Sequence, residues 1–174
     1  MAPVIGSQVL RYARQDNLED LKAKILEGGV FKEEVKLHKD GNDNPLLAML
    51  LKDACSHKAT SVVKFLASTV DKHMLNHQGY YSLPTVSTIP HYGSALHAAV
   101  SRGSVDCLRY LLDAGAHTNV TDLNRRTPLH DATMKNQADC VLHLLQAGAN
   151  PDERDQAGYG TAISIYSANA FPEN

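Results

Sequence analysis

SALHAAVSRGSVDCLRYLLDAGAHTNV, residues 94–120, returns 33 residues later as TPLHDATMKNQADCVLHLLQAGANPDE, residues 127–153. Laid over each other without a gap, they place His97 on His130, Ala99 on Ala132 and Asp106-Cys107 on Asp139-Cys140. Leu111-Leu112 meets Leu144-Leu145, and Gly115-Ala116 meets Gly148-Ala149. A segment recurring at this period is one supersecondary unit, able to bury its apolar side only against its neighbours. Chains built this way usually bind other proteins and do no chemistry.

Each copy reads as two short helices. In Thr127-Pro128-Leu129-His130 the Thr hydroxyl can accept from an early backbone N–H, and Pro128 suits a first helical position, where its missing donor is not needed. Leu129, Ala132 and Thr133 then share one face, and their small members admit a close neighbour. Asn136 ends this helix, as Gly103 does in the preceding copy; both residue types tolerate a left-handed backbone. Cys140, Val141, Leu144 and Leu145 mark a second helix at three- and four-residue spacing, which Gly148 stops before a turn-rich run to Gly158.

Helix, turn, helix and projecting loop every 33 residues, opened by SALHAA and TPLHDA and closed by YLLDAGA and HLLQAGA, resembles the ankyrin repeat family over residues 93–160. The resemblance implies an all-α ankyrin-repeat solenoid, a single domain over 1–174 with about four and a half helix-turn-helix units and projecting loops. The units fall at approximately 5–40, 43–75, 93–125 and 126–158, with a half unit at 159–171 and an inserted finger loop at 69–92. The first unit carries exposed charges, as an end repeat does. The second is expected to hold about five surplus residues between its helices, around Lys52 to Thr60. The finger is rich in β-branched and aromatic residues and broken by Pro84 and Pro90, so it reads as extended or hairpin-like.

The resemblance also carries residue roles. His97 and His130 should hydrogen-bond to backbone and tie neighbouring units together. The family's recognition positions fall on Ser101 and Arg102, on Leu123, Asn124, Arg126, Met134 and Lys135, and on Tyr159. Arg125 stands where most units have a turn glycine. Arg102, Arg125, Arg126 and Lys135 beside Leu123 and Met134 would suit a protein or peptide partner with acidic and apolar character. Tyr80, Tyr81, His91 and Tyr92 on the finger are either further contacts of that kind or packing for the loop itself. Asn119 matches the loop asparagine that a cytosolic asparaginyl hydroxylase can modify in the family, though His117-Thr118 departs from the usual preceding pair.

Composition narrows the rest. The 174 residues are 43% hydrophobic and 21% charged, ordinary for a globular domain. A net charge of −2 offers no footprint for nucleic acid, and no apolar window is long enough for a membrane span. The N-terminus has no secretory pattern, and three cysteines without CxxC spacing point to thiols in cytoplasm or nucleus. No phosphate loop, nucleophile elbow or carboxylate pair suggests an enzyme, and no cofactor is expected. His73, His77 and His91 lack the further ligand that would complete a metal set. Cys55, flanked by His57 and Lys58, is the one thiol read as reactive. The expected function is a protein-binding module, with a substrate-recruiting adaptor or regulatory subunit as the alternative and thiol or metal-dependent catalysis a remote one.

Overall fold

The computed structural model describes residues 9–27, 46–70, 72–78 and 93–158. Residues 9–14 are helical, and eight further helices follow: α1 (Leu18–Glu27), α2 (Leu46–Ser56), α3 (Thr60–Thr69), α4 (Lys72–Leu75), α5 (Ala95–Ser101), α6 (Val105–Asp113), α7 (Pro128–Met134) and α8 (Ala138–Gln146). They stack in two layers. In one, α2 packs on α5 and α5 on α7; in the other, α3 packs on α6 and α6 on α8. Units two and three therefore sit directly on each other, although the long 69–92 segment separates them in the chain.

The stacking follows from side-chain size. Ala95, Ala98, Ala99, Ala132 and Thr133 are all buried, and they let the first-layer helices approach closely. Leu66, Leu108, Leu111, Leu129 and Leu144 fill the space between layers and are fully buried. One hydrophobic core results, running from Val9 to Ala149.

The turn between paired helices recurs with unlike residues. Asp16 (φ 52°), Lys58 (φ 58°), Gly103 (φ 62°) and Asn136 (φ 52°) all take the left-handed conformation. Asp16 has a second use: its carboxylate accepts from Val62 N at 2.9 Å and Ser61 N at 3.3 Å. It thereby satisfies donors at the start of α3, where a negative charge is favoured. Arg14 adds an ion pair with Asp53 at 2.7 Å, so the first unit is tied to the second by charge as well as packing.

Two expectations are corrected. The surplus in unit two is not a loop: His57-Lys58-Ala59 is as short a connection as Arg102-Gly103-Ser104. The extra length lies in α2, which has 11 residues against 7 in α5 and α7, an addition of about one helical turn. An extra turn keeps the same face toward the core, which a shorter insertion would rotate away. The finger also begins otherwise than expected, because α4 is helical and buries Met74 and Leu75 where it packs on α2. Burial of those two side chains outweighs the β-leaning composition further along. Residues 79–92 lie outside the described residues.

Each first-layer helix of units three and four opens with a reciprocal cap. Thr127 Oγ1 accepts from His130 N at 3.4 Å, while Thr127 N donates to His130 Nδ1 at 3.2 Å. Ser94 N likewise donates to His97 Nδ1 at 3.1 Å. Gly93 precedes this cap with φ 114°, and a Cβ there would lie 2.7 Å from His97 Cγ. Gly93→Ala therefore meets both a forbidden backbone and the imidazole. A loss of about 1–3 kcal/mol is expected in urea unfolding.

Candidate functional site

His97 shows how one unit positions the loop of the next. Its Nδ1 receives the Ser94 N–H, so the ring proton is on Nε2, which donates to the Arg126 carbonyl at 2.9 Å. Burial pushes the pKa of His97 below its ordinary value, in keeping with this neutral, doubly bonded ring. His130 is also lowered by burial, and among the described residues its Nε2 finds no hydrogen-bond partner. The 33-residue translation would put its acceptor at Tyr159, outside the described residues. The tie between neighbours expected of His97 is thus present.

The loop so anchored is a rigid hairpin tip. Asp122 N donates to Arg126 O at 2.8 Å, and Asp122 Oδ1 accepts from the backbone N–H groups of Asn124 and Arg126, each at 2.8 Å. Arg125 occupies the left-handed turn position at φ 59°, where glycine would rest without strain. Gln156 N donates to Asn124 O at 2.8 Å, joining this tip to the loop of the following unit. Asn119 Oδ1 accepts from Asn150 N at 2.8 Å and links the same two units lower down.

On this scaffold the expected contact residues divide into two groups. Leu123 is 68% exposed and Met134 is 45% exposed, with Asn124, Arg102 and Arg125 also exposed. Two cations are engaged. Lys135 Nζ donates to Ser101 Oγ at 2.7 Å and to Ser101 O at 3.2 Å. Arg126 is half-buried, with Nε 3.8 Å from the Asp155 carboxylate and no hydrogen-bond partner among the described residues. Helix α7 rises roughly 10 Å between the tip and Met134, so the exposed residues form a strip rather than one compact patch. Tyr80, Tyr81, His91, Tyr92 and Tyr159 lie outside the described residues.

The chemistry assigned to Cys55 is corrected. Cys55 lies in α2, fully buried, and burial followed by the adjacent Cys107 thiol pushes its pKa well above the usual range. Cys107, hydrogen-bonded by Cys55 and Ser104, comes down to about 7, but its sulfur is sealed from solvent. Cys140 is also a buried thiol, raised by burial. Leu145, grouped with the core leucines by spacing, is 37% exposed, whereas its counterpart Leu112 packs against the core. Leu112 has the α8 layer beside it, and no second-layer helix follows α8 among the described residues.

One buried charge escaped sequence reading. Counting back six residues from the left-handed turn reaches His97, His130 and, in unit two, Lys52. Lys52 is only 2% exposed, and burial holds its amine at about 7, down from 10.5. Alignment from the Asn44-Pro45 start hides this equivalence, because the extra helical turn intervenes; alignment from Lys58 reveals it.

Among the described residues no group of three His, Cys, Asp or Glu side chains could hold a metal ion, and no helix is long and apolar enough to cross a membrane. No curated protein matches the chain. The family model for ankyrin repeats (3 copies) matches residues 51–155, more than half of the sequence. Paired helices in two layers, a repeated left-handed turn, a loop anchored by His97 and this match together place the chain in the ankyrin repeat family.

Proposed function

We propose that the chain is a binding module, gripping a protein or peptide along the strip from Leu123 and Arg125 at the hairpin tip to Met134 and Arg102. Ankyrin repeats generally mediate protein–protein interaction and are typically non-catalytic. What carries the assignment here is a pair of large apolar side chains, Leu123 at 68% and Met134 at 45% exposure, held on a hydrogen-bonded scaffold beside the cations Arg102 and Arg125. Rigid presentation lowers the entropy lost on binding, and cations flanking apolar anchors favour a partner with both acidic and apolar groups. Lys135 and Arg126 contribute mainly by holding Ser101 and the Asp155 loop in place. Three buried, unpaired cysteines support residence in a reducing compartment, cytoplasm or nucleus.

Arg125 separates recognition from folding. Arg125→Gly should stabilise the protein by about 1 kcal/mol, because glycine accepts φ 59° without strain. The same change should weaken capture of partners crosslinked through a photoreactive residue at Met134, and Leu123→Asp should weaken it further. Undiminished crosslinking in both variants would mean the strip is not the binding surface.

A further inference from the structure

Away from this strip, α4 and the loop after α6 form an open groove lined by Lys72, His73, Asn76, His77, Gln78 and His117. Its wall is built rather than incidental. Asn76 Oδ1 accepts from His117 N at 2.7 Å, and Asn76 Nδ2 donates to Lys72 O at 2.8 Å, so one amide clamps both sides. The His73 and His77 rings meet edge to face, with centroids 6.2 Å apart. Lys72 runs over the end of α6, where a Cβ on Gly115 would lie 3.4 Å from Lys72 Cε.

Among the described residues the lining consists of one lysine, three histidines and two amides and holds no carboxylate, in a chain whose overall charge is −2. Lysine only donates, an imidazole has at least one N–H in either charge state, and the Gln78 amide adds two more. A lining of such donors suits an oxyanion. A phosphate, with three acceptor oxygens and up to two charges, uses more of them than a carboxylate does. A second open groove, reaching Asn119 and Thr121, shares Gln78 and His117 with the first and gives a carrier somewhere to continue.

We propose that this groove binds a phosphomonoester carried on a peptide segment, with Lys72, His73 and His117 as the phosphate donors and the adjoining groove receiving the flanking peptide. The site shares no residue with the strip around Leu123 and Met134.

The test is titration of the full chain, followed through its histidine imidazole NMR signals, with three probes at constant ionic strength. These are inorganic phosphate, an alanine heptapeptide with one central phosphoserine, and the same peptide with serine. Saturable shifts are expected at His73, His77 and His117 but not at His143, with the phosphopeptide saturating at least tenfold below inorganic phosphate and the serine peptide having no effect. Lys72→Met should raise the phosphopeptide concentration needed about tenfold, while Leu123→Asp, on the other surface, leaves it unchanged. Equal saturation by phosphate and phosphopeptide would reassign the ligand to free phosphate and overturn the peptide part. No saturable shift with either, or no effect of Lys72→Met, would overturn the site, and neither result would bear on capture through the strip.

Discussion

Leu111→Ala should lower the free energy of unfolding by about 2–5 kcal/mol, as a fully buried leucine does when its side chain is removed and the cavity cannot collapse. Leu111 lies in α6, which packs on α3 on one side and α8 on the other, so the gap opens in the middle of the second layer. In a stack whose stability is a sum of units and interfaces, damage to the middle unit weakens two interfaces at once. Leu144→Ala should fall in the same range, because Leu144 is fully buried in α8. Its neighbour Leu145, 37% exposed, should cost less than about 1 kcal/mol on the same truncation. Urea unfolding of the three variants gives the comparison; equal losses at 144 and 145 would contradict the placement of α8.

The second large effect is a pH dependence. An unfolded Lys52 titrates at 10.5, whereas in the folded protein burial brings it to about 7. Between those values the unfolded chain holds a proton that the folded chain has released, so stability rises with pH. The cost of burying the ammonium is fully present below about 7 and is gone above 10.5. Relative to Lys52→Met, the protein should therefore gain on the order of 4 kcal/mol between pH 7 and pH 10. Taking the difference between the two proteins removes contributions from other titrating groups. A difference that stays flat over this range would show that Lys52 reaches water.

Burial of Lys52 also explains a break in the pattern. Its position in unit two is that of the capping histidines His97 and His130, and its charge opposes protonation of His97 in the adjoining unit. A lysine has no ring nitrogen three residues from a helix cap with which to copy the imidazole's fixed acceptor and donor, and α2 begins six residues before it. The extra turn of α2 moves that start away from position 52.

Much of this architecture could be read before any coordinates were known, because it rests on interactions within a few residues. The caps at Thr127 and Ser94, the left-handed ends at Gly103 and Asn136, and the leucine spacing of α6 and α8 are all local, and a 33-residue translation duplicates them. Side-chain fate was less legible. Spacing places Leu144 and Leu145 together on the inner side of α8, yet only a neighbouring helix can cover the second of them. Lys135 and Arg126 carry the same charge as Arg102 and Arg125, but Ser101 and Asp155 happen to lie within their reach.

The paired helices of units three and four, their caps and the inward placement of Leu111 and Leu144 were written in the residue string, since capping, turn chemistry and apolar spacing act over one or two helical turns. Three things waited for the folded stack: that surplus residues lengthen α2 rather than its loop, that Cys55 and Lys52 are sealed, and that His117 comes to face His73 and His77. Each depends on which distant segments meet, and packing between neighbouring units decides that at separations no local pattern encodes.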